Sequence, residues 1–449
     1  MKQSRRKFVK NMAVGATGIT LGGMGLSASA YNNIIGSNDR INVGIVGFAD
    51  RSKYSLIPAL LSQAPDLNFA ITAVSDIWNR RRDEAKSYFD EKDIKVALCR
   101  NNEELYDRDD VDAVIIATAD FQHALHTIEA VEAGRDAYVE KPFAETMEDN
   151  RKARAAVEKT GKIVTIGSQR RSGPNYHAAD KYIKEGKFGD IVMVEMTWNV
   201  NQPGRWRRPE LTPNIKESDT DWKRYLMNRP YEPWDPRKYL EYRLFWPYSS
   251  GIPGQWMAHQ IDTVHWFSGY SHPRSVAANG GIYLWKDGRE NFDTMTAVFD
   301  YGPKDDKSKG FQVVYSSRFT NSAGGVKELY FSNGGTLNLA TNKINSNGGL
   351  SERHASAMDM EPNQLPETDL PGIEVSADAN MGSDPLTTMH MRNWMECVRN
   401  RKEPNAPVKA GYEHSIANIM VTAAMRTGQY VTFDDKNQEV LAGGKVFHL

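Results

Sequence analysis

Cysteine is nearly absent: the 449 residues hold two, Cys99 and Cys397. That excludes a disulfide scaffold and leaves stability to a hydrophobic core. A surplus of positive charge is missing as well. The formal net charge is -1, and residues 1–30 carry +5 from Lys2, Arg5, Arg6, Lys7 and Lys10, which leaves -6 on the other 419 residues. A body of that sign has no electrostatic footprint for DNA or RNA and points to a small-molecule partner. Strong apolar runs are scarce too. Ala13 to Ala30 is uncharged but diluted by Gly15, Gly18, Gly22, Gly23 and Gly25, so no stable membrane span is expected from it. With 40% hydrophobic and 25% charged residues the chain is neither disordered nor collagen-like, and its length suits two or three domains. No internal repeat stands out.

The first thirty residues read as an address. Ser4-Arg5-Arg6-Lys7-Phe8-Val9-Lys10 precedes the glycine-diluted run, which ends in Ala28-Ser29-Ala30, the small-x-small pattern that a signal peptidase cuts after. The segment resembles a twin-arginine export signal, with Val9 in place of leucine. The resemblance implies an exported, periplasmic protein that crosses the membrane already folded, with any tightly held cofactor loaded first. A Cys99–Cys397 disulfide is not expected.

From residue 40 to about 166, short apolar runs alternate with helical patterns. Strand-like runs are Ile41 to Val46, Phe69 to Val74, Ala113 to Ala117, Asp136 to Val139 and Ile163 to Ile166. Helices are expected over Ser55 to Ala64, Arg80 to Phe89, Phe121 to Ala133 and Met147 to Lys159. This is the βαβ rhythm of a parallel sheet with helices on its faces. Beyond it the rhythm changes. A helix from Tyr176 to Glu185 and a strand from Ile191 to Trp198 lead into a stretch rich in Trp, Tyr, Pro and Arg, and Ile252 to Phe267 reads as a helix. Strands then follow one another: Ser275 to Leu284, Thr294 to Phe299, Phe311 to Phe319 and Lys327 to Phe331. That succession indicates an α+β domain with an open, mostly antiparallel sheet. The fold class is therefore α/β, with residues 31–166 as a Rossmann domain and 167–449 as an α+β domain. Asn342 to Asp384 reads as one long loop, and Leu386 to Arg399 and Tyr412 to Arg426 as closing helices.

Three motifs carry chemistry. Val43-Gly44-Ile45-Val46-Gly47-Phe48-Ala49-Asp50-Arg51-Ser52 has a tight-turn glycine after the first strand, as a dinucleotide fingerprint needs, but Ala49 and Ser52 stand where its second and third glycines belong. Asp76 ends the second strand, where a carboxylate binds both ribose hydroxyls and repels a 2′-phosphate, favouring NAD; helix capping would explain it equally simply. Thr118-Ala119-Asp120-Phe121-Gln122-His123 follows another strand. There Thr118 is suited to ribose or nicotinamide, Asp120 to capping, and His123 to either the ligand or the surface. Glu140-Lys141-Pro142 closes a third strand. A lysine there can hydrogen-bond a substrate hydroxyl, and burial beside other cations lowers its pKa toward the working range.

These motifs, with Asp110-Val-Asp-Ala-Val-Ile-Ile-Ala-Thr118, Ile166-Gly-Ser-Gln-Arg-Arg171, Gly186-Lys-Phe-Gly-Asp190 and Met391-Arg-Asn-Trp-Met-Glu-Cys-Val-Arg399, resemble the glucose–fructose oxidoreductase/inositol dehydrogenase (Gfo/Idh/MocA) family. The resemblance implies NAD as cofactor, held by Gly47, Phe48, Ala49, Asp76, Thr118, His123, Glu140 and Lys141, and no metal. It implies Lys141 and His259 as catalytic residues, the latter from a motif like Asp-x-x-x-His-x-x-Asp. Here that motif reads Gln255-Trp-Met-Ala-His259-Gln-Ile-Asp262. An amide at 255 takes no proton, so His259, expected near neutral pKa, is left as the base. Arg170, Tyr248, Gln255 and Asp262 are the expected substrate contacts, and the C-terminal sheet the expected homo-oligomer interface.

Seven of the ten tryptophans fall between Trp198 and Trp266, among arginines and tyrosines. Aromatic faces and arginine forks suit a carbohydrate, although large aromatics more often build core. The expectation is an exported NAD-dependent oxidoreductase acting on a sugar or glycoside hydroxyl, with C3 favoured. A glycosidase working through transient C3 oxidation and a non-catalytic sugar-binding protein are the alternatives.

Overall fold

The computed structural model describes residues 39–372 and 384–448. Residues 1–38, where the export signal is expected, and residues 373–383 of the long connecting segment lie outside the described residues.

Six strands form the first sheet: β1 (Ile41–Val46), β2 (Phe69–Ser75), β3 (Ala97–Cys99), β4 (Ala113–Ile116), β5 (Asp136–Val139) and β6 (Val164–Ile166). They lie in the order β3-β2-β1-β4-β5-β6, and every neighbouring pair is parallel. β4 and β5 are buried along their whole length, which is why they read as unbroken apolar runs. The order reverses between β1 and β4, and such a reversal opens a crevice beyond the strand C-termini. β3 has three residues, too few to leave a pattern in the sequence.

The second sheet has eleven strands: β7 (Ile191–Asn199), β8 (Ser275–Gly281), β9 (Thr294–Tyr301), β10 (Phe311–Arg318), β11 (Val326–Ser332), β12 (Gly335–Asn338), β13 (Lys343–Asn345), β14 (Thr368–Asp369), β15 (Val431–Asp434), β16 (Glu439–Ala442) and β17 (Lys445–Val446). The β7–β10 pair is parallel and the other neighbours run antiparallel. Alternate residues of β9 are buried, Met295, Ala297, Phe299 and Tyr301, so one face of the sheet covers a core. Ile416, Met420 and Val421 of the helix Val408–Thr427 complete that core.

Two expectations need correction. The segment from Asn342 to Asp384 is not a plain loop: it threads β13 and β14 onto the sheet edge and forms a short helix, Glu352–Ser356. Strands of two or three residues among Asn, Gly, Ser and Pro leave no periodicity to read. The helix Pro385–Asn400, expected within the second domain, turns its apolar stripe to the first sheet. Met391, Trp394, Met395 and Val398 recur at helical spacing and share a core with Val43, Ile45 and Tyr138 of the first sheet. The rings of Phe69 and Tyr138 lie 6.2 and 5.9 Å from that of Trp394. A stripe shows that a helix has a partner, not which one. Cys99 and Cys397 are buried free thiols.

Candidate active site

Residues Ile41–Leu449 form one unit, and a cleft of about 1200 Å³ opens in it beyond the C-terminal ends of the parallel strands. That exceeds the roughly 300–1,000 Å³ of a drug-sized ligand pocket and leaves room for two molecules side by side.

One end is built on β1 and β2. Gly47 ends β1 with φ +88°, and a Cβ there would meet Thr118 Cγ2 at 2.9 Å and the Ala117 carbonyl at 3.0 Å. Glycine alone fits both the backbone and the space. Ser52, where a third glycine was expected, donates from Oγ to the Gly47 carbonyl at 2.6 Å and so braces the turn. Asp76 lines the cleft; its Oδ2 accepts the Phe48 N–H at 2.8 Å and its Oδ1 the Trp78 N–H at 2.9 Å. Burial raises its pKa against these two bonds. The Phe48 side chain is fully buried against Tyr88 and Phe89, so the expectation of Phe48 as a ligand contact is reduced to its backbone.

The middle is built on β4 and β5. Thr118 and His123 line the cleft. His123 is buried, not a surface residue, and its Nδ1 lies 2.8 Å from the Pro142 carbonyl. A carbonyl only accepts, so Nδ1 carries the proton, and burial lowers the ring's pKa and keeps it neutral. Glu140 Oε1 takes the Arg51 Nε–H at 2.8 Å. Burial pushes this carboxyl up, but Arg51 and Lys141 outweigh it and hold it below the usual range. Gly167 leaves the room: a Cβ there would stand 3.0 Å from the Glu140 carboxylate.

Lys141 reaches into the cleft from the same strand end, and its Nζ donates to the Gln255 carbonyl at 2.7 Å. Burial lowers its pKa to about 8, while Asp120 and Glu140 work to raise it. Gln255 lies in the turn Pro253–Met257 that opens the helix Ala258–Ser268. Its Oε1 accepts the Arg243 Nε–H at 2.9 Å, and its Nε2 donates to Asp120 Oδ2 at 2.5 Å. His259, on that helix, stacks on Trp198 with ring centres 6.0 Å apart and lines the cleft. Its pKa is not near neutral. Burial, then Lys141, Arg170 and Arg51, push it well below the usual histidine value.

The structure therefore brings Gly47, Ala49, Asp76, Thr118, His123, Glu140, Lys141, Gln255 and His259 to one cleft. Three expected substrate contacts lie elsewhere. Arg170 is buried in an ion pair with Glu328 at 2.9 Å, and Asp262 is buried against Arg171 at 2.8 Å. Tyr248 is buried among Phe121, Trp222 and Tyr225. Each satisfies the fold rather than the cleft. Of the seven clustered tryptophans, Trp206 lines the cleft, while Trp198 and Trp256 stack beneath it. Sequence reasoning missed Arg51, Tyr242 and Arg243 as lining residues. The density of arginine and tyrosine in the aromatic stretch was the available signal for the last two.

Residues 41–168 match the family described as "Oxidoreductase family, NAD-binding Rossmann fold". That match takes in all six strands of the parallel sheet and less than a third of the chain. The scyllo-inositol 2-dehydrogenase (NADP(+)) of Bacillus subtilis is 27% identical over 177 residues, 39% of this chain and 47% of that protein. The 1,5-anhydro-D-fructose reductase of Ensifer adhaerens is 31% identical over 135 residues, 28% of this chain and 40% of that one. The chain spans about half the length of the curated relatives it matches. Among solved structures, levoglucosan dehydrogenase in complex with NADH and levoglucosan superposes over 88% of this chain and 99% of its own, with TM-score 0.63 and 14% identity. The WlbA dehydrogenase from Bordetella pertussis, in complex with NADH and UDP-GlcNAcA, does so with TM-score 0.61 and 19% identity. At those identities the likeness is one of fold: a Rossmann-like parallel-sheet domain followed by a mostly antiparallel sheet.

The cleft fits the dinucleotide that this domain binds: glycine's turn leaves the backbone open to a pyrophosphate, and a carboxylate stands where ribose hydroxyls fall. Replacing Asp76 with Ser is expected to weaken NAD more than NADP, because the hydroxyl no longer repels a 2′-phosphate and Arg81 lines the same wall. Titration of both dinucleotides against the two proteins checks it. An unchanged NAD/NADP ratio would leave Asp76 with its two backbone N–H groups alone.

Proposed function

We propose that this chain is an exported NAD-dependent oxidoreductase that oxidises a hydroxyl of a sugar or glycoside, C3 favoured, with the cofactor tightly retained. The observation that carries the reading is the meeting of Lys141 and His259, from two different sheets' surroundings, in the cleft that Gly47 and Asp76 also line. Relatives and fold neighbours whose names specify inositol, anhydrofructose and levoglucosan support a polyol or sugar as substrate. Trp206, Tyr242 and Arg243 add aromatic faces and a guanidinium to the lining of the same cleft.

In this reading Lys141 donates a hydrogen bond to the reacting hydroxyl oxygen and steadies the charge that develops on it. Held neutral by its surroundings, His259 accepts the hydroxyl proton. Bound dinucleotide supplies the acceptor for the hydrogen and electron pair that leave the carbinol carbon. C3 is favoured because a ketone there acidifies the neighbouring C2 proton, which opens elimination chemistry on glycosides. Export rests on the Ser4–Lys10 segment, and a retained cofactor follows from it, since folded export precedes any supply outside. The alternating burial of β9 and β10 leaves one sheet face for a second copy of the chain.

Protein purified from the cytoplasm is expected to release NAD(H) on acid denaturation, and glycosides added to the intact protein to change its nicotinamide absorbance. Release of no dinucleotide would sink retention. Release with no response to any sugar or glycoside would favour a binding protein.

A further inference from the structure

Asp120 follows β4 at the start of the one-turn helix Asp120–Gln122 and is 1% exposed. Its Oδ2 accepts from Ser249 Oγ at 2.6 Å and from Gln255 Nε2 at 2.5 Å. Its Oδ1 is buried with no hydrogen-bond partner among the described residues, 3.9 Å from Arg243 Nε. A buried carboxylate with an unsatisfied oxygen requires nearby positive charge. One residue, Gln255, links it to the cleft lysine: the Gln255 side chain binds Asp120, and the Gln255 carbonyl binds Lys141 Nζ at 2.7 Å.

We propose that Asp120 is a positioning residue that, across Gln255, sets the protonation of Lys141 in the cleft. Its consequence for catalysis rests on the reading of Lys141 as the group that holds the substrate hydroxyl.

The groups facing Lys141 leave this part to Asp120. Arg51, Arg243, His123, His259 and His414 are cationic or neutral, and disfavour a further positive charge where they act. Glu140 is the other carboxylate, but Arg51 already occupies it at 2.8 Å. Asp120 has no cation so close, so its charge is left to act on Lys141, and it is the strongest influence raising that ammonium's pKa against burial. Around Asp120 stand Arg243, Tyr225, Tyr242 and Glu145. Burial, with Asp120 beside it, raises the Glu145 pKa, so the two neighbouring carboxyls resist carrying two negative charges at once.

The test reads Lys141 directly. Only the free amine attacks acetic anhydride, forming an amide and releasing acetate and a proton. The rate of Lys141 acetylation in the full chain, followed by mass spectrometry across pH, therefore gives its titration midpoint. In the wild type the midpoint should lie near 8. Asp120→Asn should lower it by about one unit, so that the free-amine fraction at pH 7 rises about fivefold. The transposed pair Asp120→Asn with Gln255→Asp, which preserves the charge and moves it onto the residue whose carbonyl binds Lys141, should return it toward the wild type. Gln255→Asp alone adds a second carboxylate and should raise it. An unchanged midpoint in folded Asp120→Asn overturns the proposal; if that variant does not fold, an unchanged midpoint in Gln255→Asp does so. The labelling needs neither substrate nor dinucleotide. A shifted midpoint in a protein inert to every sugar would sink the oxidoreductase reading alone.

Discussion

Lys141→Ala and His259→Ala are each expected to lower kcat/KM by about 100-fold or more, the scale of a positioned proton-transfer group. Both variants should keep their dinucleotide. Neither side chain is at the glycine turn, and the Gly47 and Asp76 contacts are independent of them. The double variant should lose less than the product of the single losses, because the two groups serve one transfer. The pH profile separates them. Lys141 is needed protonated, so kcat/KM should fall as pH rises through about 8. His259 is needed neutral, and burial beside cations has moved its protonation well below the usual histidine range, so the acid limb should lie at low pH. Lys141→Ala should remove the alkaline limb and leave the acid one. A near wild-type rate in His259→Ala would move the base to another lining group. Tyr242 and Tyr248 would not serve: burial raises the pKa of the Tyr242 hydroxyl so that it keeps its proton, and Tyr248 is sealed in the aromatic cluster.

What the sequence made legible follows from how far apart the partners of each feature lie. Gly47 and the Glu140-Lys141 pair are local: each belongs to the end of one buried strand, and a parallel sheet sends all strand ends to one edge. Burial then accounts for the direction of the Lys141 shift, which residue type and position already suggested. His259 was legible as a residue but not in its titration, because the cations that surround it, Lys141, Arg170 and Arg51, come from three separate stretches of chain. Asp120 was passed over for the opposite reason. A carboxylate before a helix explains itself as a cap, and its true partners, Ser249 and Gln255, are far along the chain. The helix Pro385–Asn400 shows the same limit at the level of packing, since its stripe names no partner.

Arg170 is the sharpest case, and Arg170→Ala is expected to destabilise the protein by about 3–5 kcal/mol, the cost of stranding one member of a buried ion pair. The guanidinium pairs with Glu328 at 2.9 Å and lies over the rings of Trp198 and Tyr176, at 5.5 and 5.8 Å. Thr263 Oγ and the Tyr176 hydroxyl also donate to Glu328, at 2.6 and 3.3 Å, and they would remain. Burial already raises the Glu328 pKa while Arg170 restrains it, so removing the arginine lets it rise further. A carboxyl whose folded pKa exceeds its unfolded value stabilises the fold below the unfolded pKa and loses that contribution as pH rises through the folded one. The melting-temperature gap between wild type and Arg170→Ala should therefore narrow on acidification toward pH 5 and widen toward pH 8. Replacing both partners, Arg170→Met with Glu328→Gln, should recover much of the loss, because no buried charge is left uncompensated. If Arg170 instead gripped substrate, Arg170→Ala would raise KM and leave the melting temperature near that of the wild type, with no pH dependence in the difference.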